Sequence, residues 1–190
     1  PRPRTGPILA ALDPPDAAVL LPPLLRTGAR ITLIAPATGQ LAATLEAVAE
    51  AQLAAVAAGS LPQTDADADW SRLEGALTPD PGTAPRLALA GAAHLETLAA
   101  SLSADCPLLA WNTARPAPPH PERCLALIPA PVRNRSGMAQ LVELVVQAGT
   151  LPEVATAATE LMLALHLTPL RAGGRAMLPA MLHTARQTAA

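Results

Sequence analysis

The chain has 190 residues, among them 44 Ala, 32 Leu and 22 Pro, with no Phe, Tyr or Lys, so all 13 basic residues are Arg. A P-loop and a Schiff-base enzyme both need a Lys, and single-stranded nucleic-acid platforms need stacked aromatics, of which only Trp70 and Trp111 are present. Thirteen Arg against fifteen Asp and Glu leave a net charge of −2 with no basic block, which argues against recruitment of nucleic acid or of an anionic membrane.

In chain order, short apolar runs alternate with longer Ala-rich stretches of helical period. Ile8 to Leu12 reads as a strand closed by Asp13-Pro14-Pro15. Residues 16–26 suit a helix that Pro22-Pro23 should kink or end, because each proline removes a donor and clashes with the preceding turn; Gly28 then stops it. Arg30 to Ala35 has the β-branched and Leu content of a buried strand. Thr38 to Ala58 reads as a helix with Leu41, Leu45, Val48, Leu53 and Val56 on its apolar side and Gly59 in the C-cap region.

Residues 62–77 begin with an acidic stretch in which Thr64 or Asp65 makes an N-cap and Asp67 and Asp69 suit the positive end of the following helix. The alternating Asp residues lack the Gly and the distal Glu of a Ca²⁺ loop. Residues 78–85 are turn-rich, Arg86 to Ala90 reads as a third strand, and a helix is expected over about 93–103. Pro107 to Trp111 and Cys124 to Ile128 make a fourth and a fifth strand on either side of a Pro-rich loop. Met138 to Gln147 fits strand or helix by period alone. Pro152 to Leu167 is a helix with Pro at its first position, followed by an extended TPLRA. After Gly173-Gly174 a final apolar helix is expected over about 176–188.

This alternation predicts an α/β fold, a Rossmann-like sandwich with a mostly parallel sheet flanked by helices. No run of 18 apolar residues is present, and the N-terminal apolar run ends at Asp13, too early for a signal h-region. Cys106 and Cys124, with 17 residues between them and no ligand spacing, read as two buried thiols of a reducing, cytoplasmic compartment, and no metal site is expected.

The second half carries a family resemblance. WNTA at 111–114, HPERCLALIPAP at 120–131, MAQLVELV at 138–145 and TLPEVATAATELMLALHLTPL at 150–170 resemble, in order and spacing, the corresponding stretches of 3-hydroxyacyl-CoA dehydrogenases. The resemblance runs over residues 6–185 and implies that family's Rossmann-like NAD-binding domain over 1–172, with 173–190 as the C-terminal helix that would begin a second, helical domain. Met177, Leu178, Met181 and Leu182 lie on one face of that helix, which either folds back on its own domain or supports a homodimer.

The departures from the family pattern are specific. Its three glycines of the first turn fall at Leu12, Pro14 and Ala17, in LDPPDA, where Asp13 and Asp16 repel a pyrophosphate and Pro14 and Pro15 delete donors. The acidic residue expected at the end of the second strand is Ala35. The family's acid/base His is replaced by Ile128, although Glu143 matches the Glu that orients it. Asn112 and Thr113 match the substrate-lining stretch, its Ser is Ala114, and a later Asn has no counterpart around Gly174 to Ala176. His120 lies near the expected pocket mouth, whereas His94, His166 and His183 fall on expected helices as polar or helix-end residues.

Two functions follow from the resemblance. One is a protein that has lost NAD binding and catalysis, needs no cofactor, and serves as a non-redox binding or scaffold protein. The alternative is a divergent NAD-dependent dehydrogenase of fatty-acid metabolism, or half of a split enzyme. A third reading is an acyl-CoA or small-anion binder using Arg133, Arg135, Arg171, Gly173-Gly174 and Arg175.

Overall fold

A computed structural model describes residues 6–113, 120–130, 141–174 and 176–177, which fall into two compact units divided after Cys106. The first unit contains β1 (Ile8–Ala11), α1 (Pro14–Arg26), β2 (Ile31–Ile34), α2 (Thr38–Ala57), α3 (Gln63–Trp70), β3 (Leu73–Ala76), β4 (Leu87–Gly91) and α4 (Leu95–Ser101). Its strands lie in the order β3-β2-β1-β4 and are parallel throughout, with Ile8 opposite both Ile31 and Leu87 and Ile31 opposite Leu73. Strands β1 and β4 are buried along their whole length, as parallel strands covered on both faces must be.

The second unit contains β5 (Leu108–Trp111), β6 (Cys124–Pro129), β7 (Leu141–Val146), α5 (Pro152–Ala164) and β8 (Thr168–Gly173), with strands in the order β5-β6-β7-β8. Here β5 and β6 are parallel, β6 and β7 antiparallel, and β7 and β8 parallel again. The fold class is thus the Rossmann-like, mostly parallel α/β arrangement that alternation predicts. Of the segment 138–147, residues 141–146 are a strand.

Several local expectations are corrected. Helix α1 runs through Pro22 and Pro23 to Arg26 without ending. An interior proline costs about 3 kcal/mol, but Leu20, Leu21, Leu24 and Leu25 are buried on the same helix, each contributing roughly 1.5–3 kcal/mol. Burial therefore outweighs the missing donors. Thr27 then closes the helix by donating its hydroxyl to the Leu24 carbonyl at 2.7 Å, and Gly28 adopts φ +81°.

Helix α2 has the expected span, but its buried stripe is Thr44, Val48 and Gln52, and Leu53 is 62% exposed. With Ala at most other positions, the chain can present several faces at similar cost, so packing selects the stripe. Helix α3 starts at Gln63 with Pro62 as N-cap, not at Thr64 or Asp65. Asp69 sits near its C-terminal end, buried, where its Oδ1 accepts from Arg72 Nη2. Burial pushes the Asp69 carboxyl above its usual range despite Arg72 and Arg26 nearby. Strand β3 has no counterpart among the expected strands, so Leu87–Gly91 is the fourth strand of the chain, not the third.

TPLRA belongs to a full strand, β8. His94 precedes α4 and His166 follows α5, so neither is inside a helix. The expected C-terminal helix, with Leu178, Met181, Leu182 and His183, lies outside the described residues apart from Ala176 and Met177. Among the described residues, no helix is long and apolar enough to cross a membrane.

Candidate functional site

The crossover turn of the first unit is where an open parallel sheet ordinarily receives a ligand, beyond the carboxyl end of β1. There Asp13 is extended (φ −69°, ψ 154°) and caps α1, with prolines in its first two positions. The free N–H groups of a helix start belong to its first few residues, and Pro14 and Pro15 have none to offer. Ala17 donates its own N–H to the Asp13 carbonyl at 2.9 Å. Asp16 places a second carboxylate in the first turn, so the positive end of the helix dipole already faces two negative groups.

A third group joins this turn. His94 Nε2 lies 3.2 Å from Asp13 Oδ1, with the imidazole only 13% exposed. Strand β4 brings it there: Ala11 of β1 is opposite Ala90, and a Cβ added at Gly91 would stand 3.8 Å from the Ala11 carbonyl. The sequence alone suggests for His94 a polar or helix-end residue on a helix, and the pairing with Asp13, 81 positions away, is a correction to that expectation. Its position four residues after a buried apolar run was the available signal. At the end of β2, Ala35 is buried and offers a methyl group where a ribose hydroxyl would need an acceptor.

In the second unit, β5 ends at the buried Trp111, and Asn112 follows with φ +52°, donating its N–H to the Leu127 carbonyl at 2.8 Å. Asparagine tolerates this left-handed conformation better than most residues. Thr113 is buried, and Ala114 lies outside the described residues. The antiparallel pairing of β6 with β7 sets Ile128 directly opposite Glu143, so the two residues singled out by family position are cross-strand neighbours. Glu143 is 3% exposed, and its Oε1 accepts the Met177 main-chain N–H at 2.7 Å. Ala126, Ile128 and Val145 form a small apolar cluster against which Ala176 packs. The chain leaving β8 thus crosses the face where Ile128 stands opposite Glu143.

The remaining candidates are dispersed. His120 (φ +59°) is more than half exposed, with Nδ1 3.5 Å from Glu122 Oε1. Cys106 and Cys124 are buried and form no disulfide, and burial pushes the Cys124 thiol up to about 12, which leaves it inert as a nucleophile. No group of three His, Cys, Asp or Glu residues able to hold a metal occurs among the described residues. The anion nest expected near Gly173-Gly174 is weakened, since Gly174 donates its N–H to the Val146 carbonyl and Arg171 Nη2 lies 3.4 Å from Thr159 Oγ1. Arg133, Arg135 and Arg175 lie outside the described residues.

No protein-family model matches the sequence, and no curated protein matches it. Solved structures do match by fold. (S)-3-Hydroxybutyryl-CoA dehydrogenase from Ralstonia eutropha superposes with a TM-score of 0.78 at 11% identity, covering 96% of this chain and 70% of that one. FadB2 of M. tuberculosis gives 0.75 at 19% identity, covering 96% and 71%. 3-Hydroxybutyryl-CoA dehydrogenase from Escherichia coli K12 gives 0.73 at 19% identity, and this chain covers 39% of its length. At these identities the likeness is one of fold, and the fold is the Rossmann-like one shared by these solved dehydrogenases.

Proposed function

We propose that this chain is a 3-hydroxyacyl-CoA dehydrogenase-like protein that neither binds NAD nor transfers hydride, and that it acts as a non-redox binding or scaffold protein. The observation carrying this reading is the turn after β1, in which two prolines remove donors and Asp13, paired with His94, and Asp16 supply carboxylates. These residues do not fit a diphosphate, which needs free N–H groups and a positive potential at the helix start. Ile128 adds to the reading. Loss of a positioned general acid/base forfeits about 10²- to 10⁴-fold in rate.

The test is binding of NADH. At millimolar NADH the melting temperature and the Trp fluorescence should stay unchanged; a saturable shift in either would overturn the reading. The alternative is a divergent NAD-dependent 3-hydroxyacyl-CoA dehydrogenase of fatty-acid metabolism or one half of a split enzyme, and it rests on the family resemblance of Glu143 and Asn112. It requires consumption of NADH with acetoacetyl-CoA. A melting shift with acetoacetyl-CoA but none with NADH identifies an acyl-CoA binder. Homodimerisation through the C-terminal helix is tested by light scattering over a range of concentrations, and a monomer throughout would end it.

A further inference from the structure

The amino ends of the first unit's strands carry a charge pattern that the function above does not use. Arg30 immediately precedes β2, Arg72 precedes β3 and Arg86 precedes β4. The parallel register sets these residues in one row: Ile31 donates to the Arg72 carbonyl at 2.9 Å, Ile8 to the Arg30 carbonyl at 2.9 Å, and Arg86 to the Pro7 carbonyl at 3.1 Å. Neighbouring strands are about 4.8 Å apart, so Arg72 and Arg30 are adjacent, and Arg86 is about 10 Å from Arg30 across Pro7. Like charges so placed repel unless something between them is negative.

Of these three, Arg72 alone has a carboxylate partner among the described residues. Its Nη2 donates to Asp69 and, at 3.1 Å, to the Leu25 carbonyl, which clamps the guanidinium in place, while its Nε is buried without a hydrogen-bond partner. Among the described residues, no carboxylate pairs with Arg30 or Arg86. A cavity of about 520 Å³ opens on this row, lined by Arg30, Arg72, Thr32, Ser71, Thr83 and Glu74 among others. Its volume is in the range that holds a small organic ligand. Ser71 and Thr83 donate their hydroxyls to Ala68 O and Asp80 Oδ2, which fixes them, whereas Thr32 has no side-chain partner among the described residues. The cavity therefore presents one exposed cation without a carboxylate partner among the described residues, one clamped cation and one uncommitted hydroxyl, with Glu74 as the opposing charge.

We propose that this cavity is a binding site for a compact dianion, a phosphate monoester or a dicarboxylate, held by Arg30 and Thr32 against the clamped Arg72. The planar guanidinium of Arg30 suits bidentate contact with either oxyanion, and Glu74 sets an upper limit on affinity by repulsion. The site lies at the opposite end of the strands from the turn after β1 and does not depend on the reading of that turn.

Calorimetric titration of the full chain with inorganic phosphate and with malonate, at ionic strength matched by sodium chloride, tests the proposal. Saturable millimolar binding of one or both is expected, weakened at least tenfold in Arg30→Gln and tightened in Glu74→Gln. Binding of phosphate alone assigns a phosphate ester, of malonate alone a dicarboxylate, and of both supports the shared dianion site. Arg30 is exposed, so Arg30→Gln should fold as the parent does, checked by circular dichroism. No saturable binding of either anion, or equal binding in Arg30→Gln, would overturn the proposal.

Discussion

The two ends of the first unit's parallel strands differ in charge and in chain stiffness. At the carboxyl end, Asp13, two prolines, Asp16 and His94 fill the turn where open α/β sheets ordinarily receive ligands. At the amino end, Arg30, Arg72 and Arg86 stand in register, and Arg30 and Arg72 line a cavity. One end meets anions with carboxylates and missing donors, the other with guanidinium groups. The same backbone pattern therefore does not decide which end binds. Topology supplies two rows of strand termini, and side-chain charge selects between them.

Four substitutions test how far the two ends are separable. The largest effect should come from Leu33→Ala in β2, whose side chain is fully buried between both ends. A loss of about 2–5 kcal/mol in urea unfolding is expected, and a loss below 1 kcal/mol would show that the strand does not support the core. Next is Gly6→Ala at the amino end, where a Cβ would stand 2.0 Å from the Ala84 carbonyl oxygen. Forcing that apart should cost about 1–3 kcal/mol, and an unchanged melting temperature would refute the close approach.

At the carboxyl end, His94→Ala removes the partner of Asp13 and should cost about 0.5–1.5 kcal/mol, with no gain of NADH binding. If that variant bound NADH, the imidazole rather than the prolines would be what blocks the turn. The smallest stability effect belongs to Arg30→Gln, within about 0.5 kcal/mol because the side chain is exposed. A larger loss would mean that Arg30 holds the fold rather than a ligand.

The second unit supplies a pH-dependent contrast to these exposed charges. The Cys124 thiol is raised from 9.0 to about 12 by burial, so its contribution to stability is complete below pH 9 and falls away as the pH rises from 9 toward 12. Folded protein at pH 8 should react with a thiol reagent at neither cysteine and at both in denaturant. Rapid modification of the folded chain would contradict the burial of Cys106 and Cys124.

Most strands were legible because their apolar runs are short, continuous and bounded by Gly, Pro or Asp. Strand β3 was not, since LEGA has one large apolar residue and follows an acidic helix without a break. Its place beside β2 is a matter of long-range pairing, and no local signal encodes that. The persistence of α1 through Pro22-Pro23 was equally hidden, because the proline penalty is local whereas the compensating leucine burial is tertiary. In the site, the identities at positions 13, 14, 15, 35, 128 and 143 could be read directly. The pairing of His94 with Asp13 and the Met177 hydrogen bond to Glu143 join residues 81 and 34 positions apart, beyond the reach of spacing.

By itself the sequence determined the alternation of strand and helix, the absence of donors and the excess of acid in the first turn, and an isoleucine at position 128. These follow from side-chain chemistry and from periods of two and 3.6 residues, both of which are local. Tertiary structure decided which face of α2 is buried, that His94 turns onto Asp13, and that arginines scattered over 57 positions from Arg30 to Arg86 fall into one row. Those outcomes depend on parallel register and on competition for a core built largely of Ala and Leu. Near-equal small side chains leave the selection to packing.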